Sequence, residues 1–167
     1  TYMCSAIVQK ATGQKVNDFL QSRLFEPLGI SPPRWLESAE GVSQGGTGLS
    51  ARTEDLAKFG QLYLQHGRWG EGAEAKQLVP AEWIELATSK QASNGSNPYN
   101  DWDQGYGFQF WRCRHGAFRA DGAYGQLIVV MPKQDAVVVV TSGTADIAAL
   151  LNAIWDHLLP GLEAEAS

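Results

Sequence analysis

The stretch of this sequence whose spacing most directly suggests a nucleophile is Gly41-Val42-Ser43-Gln44-Gly45, a G-x-S-x-G pattern. Such a serine works on a sharp turn between a buried strand and a helix, with an acid and a histidine following it along the chain. Asp121 and His157 supply that order. The flanking residues do not supply the context: Arg34 to Glu40 is polar, and Gly45-Gly46-Thr47-Gly48 is a poor start for a helix because glycine loses the most backbone freedom on ordering. His157 falls in the last turn of an amphipathic segment, where an imidazole compensates the helix dipole in solvent.

A serine followed one helical turn later by lysine is a second way to activate a hydroxyl, because the lysine lies beside it and helps remove its proton. No serine here is followed three residues later by lysine. Thr12-Gly13-Gln14-Lys15 comes nearest and spans a helix stop. His66, His115 and His157 lack the spacing that puts two metal ligands on one helix face, so no metal site is expected. Cys4 and Cys113 are too few and too distant for a disulfide framework or a zinc knuckle; they read as two buried thiols, and the compartment, cytoplasmic or periplasmic, stays open. The net charge is -5 and the 13 basic residues are scattered, which argues against nucleic acid as a partner. The longest apolar runs, Ala136 to Val140 among them, are a strand's length and far short of a membrane span.

The elements that must position any site follow from periodicity. Met3, Ile7, Val8 and Ala11 have helical spacing, stopped at Gly13. Val16, Phe19, Leu20 and Leu24 form the stripe of a second helix, ended by Pro27. Residues 31–50, rich in Gly, Pro and Ser, predict a long loop. Ser50 or Thr53 caps a third helix with Leu56, Phe59 and Tyr63 on one face, stopped at Gly67. Pro80 opens a fourth with Ile84 and Ala87, and residues 89–103 predict an exposed loop. The period then switches to alternation at Tyr106, Phe108 and Phe110, which predicts a strand. Leu127 to Met131 and Ala136 to Thr141 predict two more, joined by a connection short enough to force an antiparallel hairpin. Ile147, Leu150, Leu151, Ile154 and Leu158 predict a last helix, capped near Ser142 or Thr144 and ended by Pro160-Gly161, before an acidic tail. The expected class is α+β, in a single unit spanning 1–167: a helical region over about 1–103, then an antiparallel sheet with a covering C-terminal helix over about 104–161.

The order of segments is more informative than any one of them. Ser5 to Gly13 followed by Leu24-Phe25-Glu26-Pro27-Leu28-Gly29-Ile30, then Gly46-Thr47-Gly48-Leu49-Ser50 leading into Thr53 to Phe59, then Gly105-Tyr106-Gly107-Phe108, Gly122-Ala123-Tyr124-Gly125-Gln126 and Val137 to Val140, resembles the β-lactamase-related serine hydrolases. The resemblance is to the C-terminal portion of that serine β-lactamase and DD-peptidase fold, in the penicillin-binding-protein and class C branch. It implies a Ser-x-x-Lys nucleophile and a proton-relaying Tyr in a segment before Thr1, with the missing part of the same protein as a partner. It also implies an acyl-enzyme mechanism with no metal and no organic cofactor, and a small ester, amide or β-lactam-like substrate.

In that resemblance the K-T-G or H-x-G motif of a strand edging the cleft falls on Ala120-Asp121-Gly122. The implied substrate-side residues are Asp121, Gly122, Ala123 and Tyr124, with the Ala123 N–H as one oxyanion donor. Ala120 departs from the motif, since it supplies neither the cation nor the imidazole; that favours esters or small amides over β-lactams. Asp121 is either a cleft residue or a turn acid, and Tyr124, Gln126, Tyr106 and Trp111 either line the cleft or pack in the core. Alone, the chain is expected to be inactive, with apolar helix faces at Ile7 and Leu20 favouring association with the missing half or with itself. A non-catalytic binding or fold-completing module is the alternative, followed by a self-contained α/β-hydrolase using Ser43.

Overall fold

The computed structural model describes residues 1–165; Ala166 and Ser167, the end of the acidic tail, lie outside the described residues. The chain divides into two compact units, Thr1–Lys58 and Phe59–Ser167, with the boundary inside a helix.

The first unit opens with α1 (Tyr2–Thr12), which stops where Gly13 takes the left-handed conformation (φ 72°) and its N–H bonds the Gln9 carbonyl. The face that α1 buries is not the apolar one expected: Met3 and Ile7 are exposed while Ser5 is buried. Close approach explains this, because a Cβ on Gly45 would collide with the Ser5 hydroxyl, so only small residues fit that contact. Helix α2 (Val16–Leu20) widens into a π-type turn, Gln21–Phe25, before Pro27, and delivers Phe25, Leu28 and Ile30 to the unit's interior. Within residues 31–50 the chain is not wholly irregular. β1 (Arg34–Trp35) pairs antiparallel with β2 (Leu49–Ser50), and Glu37 bridges Ser43. Trp35 Nε1 donates to the Thr47 carbonyl at 3.0 Å. Helix α3 (Thr53–Leu64) begins with the Asp55 and Leu56 N–H groups bonded to the Arg52 carbonyl, so Arg52 holds the cap position rather than Ser50 or Thr53. Buried Asp55 faces Arg52 and Lys58 at 3.3 and 3.2 Å.

The second unit is built on a four-stranded antiparallel sheet in the order β5 (Trp111–Arg112), β6 (Phe118–Gly122), β7 (Gln126–Met131), β8 (Ala136–Val140). Side chains alternate across the sheet, so register assigns each residue a face. Phe118, Val130 and Val137 lie in one row, Ala120 with Ile128 in another, and these pack with Phe110, Phe59, Tyr63 and Leu64. Leu127, Val129 and Met131 occupy the other face, under Leu151, Ile154 and Trp155 of the C-terminal helix. Both faces of β8 are covered, as its unalternating valines require. Gly60 is needed for the approach of α3 to the sheet: a Cβ there would lie 2.5 Å from Val137 Cγ1 and 2.8 Å from Ile128 Cγ2. A minor hairpin, β3 (Arg68–Trp69) with β4 (Lys76–Gln77), precedes α4 (Ala81–Thr88), which buries Ile84 and Ala87.

Two expectations fail here for identifiable reasons. Tyr106 to Phe110 is no strand: Gly105 and Gln109 have φ of 116° and 68°, the Gly107 N–H bonds the Phe110 carbonyl, and the segment folds back so that Tyr106 bridges Trp111. Its aromatic alternation reflects a tight turn whose rings go to different clusters. The C-terminal helix is capped not by Ser142 or Thr144 but by Asp146, whose carboxylate accepts from the Ala149 N–H at 2.9 Å. It also continues past Pro160 and Gly161: α5 (Ile147–Ala153) runs through a π-type turn, Ile154–Leu158, into α6 (Leu159–Glu165). A wider turn just before Pro160 relaxes the clash of its ring with the carbonyl four residues earlier.

Leu151 of α5 is fully buried against β7. Leu151→Ala is expected to lower the unfolding free energy by about 2–5 kcal/mol in urea titration, with the secondary-structure signal of the folded state unchanged.

Candidate functional site

β6 carries Ala120-Asp121-Gly122, and its pairing ends at Gly122↔Gln126. Ala123, Tyr124 and Gly125 form the loop to β7, so the Ala123 N–H lies beyond the last ladder pair. Tyr124 is 66% exposed and left-handed (φ 62°), and Gly125 follows at φ 77°. Gly125 has no alternative residue: a Cβ would meet the Ser142 hydroxyl, which donates to the Tyr124 carbonyl at 2.9 Å. At Gly122 a Cβ would make only ordinary contact, 3.4 Å from Gln126 Cβ. The hairpin tip is therefore an exposed loop held from below by Ser142 and by Gln126, whose amide donates to the Ser142 carbonyl at 2.6 Å.

The four residues do not share one direction. Gly122 lies on the α3 face with Ala120, whereas Asp121 lies opposite Leu127 on the face covered by the C-terminal helix. There its carboxylate accepts from Arg119 Nε at 2.9 Å. Asp121 also raises the pKa of Tyr106, whose burial is the larger cause.

Arg119 is the residue that sequence reasoning missed. It is wholly buried, its guanidinium 4.4 Å from the Trp102 ring centroid and 5.5 Å from that of Trp111. Nη1 donates to the Asp101 carbonyl and to Cys113 Sγ, both at 3.2 Å, while Nη2 has no hydrogen-bond partner among the described residues. Asp101, in the segment expected to be an exposed loop, is itself buried: its carboxylate accepts from the Arg114 N–H, Arg114 Nε and Trp155 Nε1 at 2.8, 3.0 and 2.9 Å. One signal was present: an arginine two residues before Asp121 on a strand must share its face. Nothing local marked Asp101, because its partners are distant in the chain.

Burial, partly offset by Arg119, pushes the Cys113 thiol up to about 11, so it is protonated at neutral pH. Cys4, expected to be buried, is exposed on α1, because that helix turns its small face inward. Ser43 does not occupy a nucleophile elbow. It is itself one side of an isolated bridge rather than the end of a buried strand, bends rather than a helix come after it, and its hydroxyl is buried without a partner among the described residues. A nucleophile must reach substrate, and this one is closed off. No group of three or more metal-ligating side chains occurs among the described residues, and no helix there is long and apolar enough to cross a membrane.

Against known proteins, the β-lactamase family model matches residues 1–152. Among solved structures, a protein named as a 6-aminohexanoate-dimer hydrolase from Bacillus anthracis superposes with a TM-score of 0.79 at 24% identity, covering 96% of this chain and 42% of that one. A β-lactamase from Mycobacterium bovis gives 0.69 at 22%, covering 95% and 60%. An octameric penicillin-binding protein homologue from Pyrococcus abyssi gives 0.51 at 20%, covering 90% and 40%. At these identities the likeness is one of fold, and the chain spans less than two thirds of each of these proteins. No curated protein matches the chain.

Removing the Asp101 carboxylate strands the groups it pairs. Asp101→Ala is expected to cost about 3–5 kcal/mol in denaturant unfolding, the range for breaking a buried ion pair from one side; a loss below 1 kcal/mol would mean that water reaches the cluster.

Proposed function

The chain belongs to the β-lactamase family, and from that premise we propose that it is the C-terminal portion of a serine acyl hydrolase whose nucleophile lies in an upstream segment of the same protein. In this reading a serine hydroxyl, activated by a lysine one helical turn on, attacks a carbonyl to give an acyl-enzyme that water then hydrolyses. The residues present here form the substrate-side wall. Gly122 leaves room for the substrate backbone, and the Ala123 N–H donates to the oxyanion as charge develops on it, a role typically worth 10²–10³ in kcat. The observation that carries the reading is the position of Ala123: an N–H outside the ladder at the end of a strand whose neighbour Gly122 offers no side chain.

The substrate is an ester or a small amide rather than a β-lactam. A β-lactam's carboxylate needs a cation or imidazole on the strand, and Ala120 supplies a methyl group. The naming of one structural neighbour as a hydrolase of a 6-aminohexanoate dimer accords with an amide. Two facts support reading the chain as one portion of a longer protein: no serine in it has a lysine three residues on, and the neighbours with the same fold are much longer.

Incubation with a serine-reactive fluorophosphonate and a labelled penicillin, read by intact mass and adduct mapping, tests this. The 167-residue chain should take no label, and a longer chain including the upstream segment should take one fluorophosphonate on an upstream serine. An adduct on Ser43 would overturn the reading in favour of a self-contained hydrolase, and an unlabelled longer chain would favour a non-catalytic module.

The isolated chain should also associate. Met3 and Ile7 are 65% and 63% exposed on α1, whereas Leu20 is half-buried, so α1 is the sticky face. Sedimentation velocity is expected to show concentration-dependent association that Ile7→Lys with Met3→Lys abolishes; a wild-type monomer at all concentrations sinks the idea.

A further inference from the structure

A cavity of about 490 Å³ lies where β5 turns into β6, lined by Pro98, Tyr99, Arg112, Arg114 and His115 among others. It is at the other end of β6 from Gly122: Arg112 pairs with Phe118, and four residues at about 3.3 Å each put it roughly 13 Å along the strand. No carboxylate lines it. Its positive charge is cancelled from beneath only in part. Asp101 is committed to Arg114, and Asp121 to Arg119. Cys113, on the cavity wall, is held neutral by burial. Arg112 is left over. Its guanidinium donates only to the backbone carbonyls of Thr88 and Gly116, at 3.0 and 3.3 Å, and has no carboxylate partner among the described residues. Lys133 adds to this charge, its Nζ lying 3.5 Å from where a Gly116 Cβ would be.

His115 stands at this cavity in the left-handed conformation (φ 60°), which is strained for a residue with a Cβ. Its ring lies 5.1 Å from that of Trp155, which fixes its direction. The Arg112 guanidinium and the His115 imidazole thus share one cavity, beside an Arg114 already bound to Asp101 and Asn152, in a chain whose net charge is -5. On the other side Pro98 and Tyr99, the latter 83% exposed, offer an apolar arm.

We propose that this cavity binds a small organic oxyanion, a phosphate monoester or a carboxylate, with its charged head on Arg112 and His115 and its apolar body against Pro98 and Tyr99. The volume suits a ligand of that size. Planar guanidiniums pair two-pronged with either head group. Binding weakens with salt, because the mouth of the cavity is open to screening. The site does not depend on the hydrolase reading, since none of its residues belongs to the Gly122 end of the strand.

Titration calorimetry of the 167-residue chain with phenyl phosphate, benzoate and inorganic phosphate at low ionic strength tests it. Phenyl phosphate or benzoate should bind, more tightly than inorganic phosphate, and the preferred one identifies the head group. Arg112→Gln should weaken binding at least tenfold. His115→Gly, which removes the imidazole while favouring the left-handed backbone, should weaken it severalfold without loss of thermal stability and so guards against misfolding in the first variant. No binding of any probe to the wild-type chain, or binding undiminished in both variants, would overturn the proposal.

Discussion

The constraint on which the second unit depends is the burial of the Arg119 charge. A guanidinium removed from water must be compensated at once, because the desolvation of an isolated ion costs several kcal/mol even after relaxation. Here the compensation comes from four places: Asp121 on the same strand, the Asp101 carbonyl in a distant loop, the Cys113 sulfur just after β5, and the faces of Trp102 and Trp111. Each partner is thereby fixed. The loop carrying Asp101 and Trp102 is drawn under the sheet, and Asp101 in turn ties down Arg114 and the indole of Trp155. A single buried arginine organises a loop, two strands and the C-terminal helix. Such clusters contribute little net stability, since a well-packed apolar substitute often does as well; here they fix which loop conformation accompanies the sheet.

The cluster also determines what remains free. Two arginines and two aspartates, Arg114, Arg119, Asp101 and Asp121, neutralise one another, so the charge that remains at the β5 end belongs to Arg112. At the Gly122 end the charged side chain of the strand, Asp121, is bound to Arg119. The two ends of one strand are chemically opposite: a basic cavity at the first, and at the second an exposed loop whose functional groups are backbone N–H groups.

The parts of this architecture legible in the sequence are those where one local rule dominates. Val137 to Val140 are apolar without alternation, and the strand is covered on both faces; Pro132 to Asp135 is too short for anything but a hairpin; Ile147 to Leu158 has the helical period. What was not legible required long-range partners. Asp101 lies in a polar stretch like any surface loop, and only Arg114, Arg119 and Trp155 make it a buried acid. Tyr106, Phe108 and Phe110 alternate as a strand would, but glycines on both sides and a left-handed Gln109 turn them back on themselves. In α1 the apolar positions were read correctly and their direction was not, because the contact of Ser5 with Gly45 required small side chains, and periodicity says nothing of size.

For the Gly122 end the alternation of β6 has a consequence for chemistry. In the family's motif a cationic or imidazole side chain two residues before the glycine faces the substrate. On the proposed reading position 120 takes that place, on the same face as Gly122, and its methyl group packs with Phe118 and Val130 beside α3. The charged residue between them cannot stand in. Asp121 has the wrong sign for an anionic substrate, points to the opposite face, and is already bound to Arg119. Restoring a cation at position 120 would bury it among Phe59, Tyr63 and Ile128, where burial alone already raises the Tyr63 hydroxyl to about 12. An ammonium in that setting loses its proton more readily than in water and could not hold a carboxylate strongly. On the proposed reading, the selectivity of this strand therefore rests on the shape of the loop and the direction of its N–H groups, and only secondarily on side-chain charge.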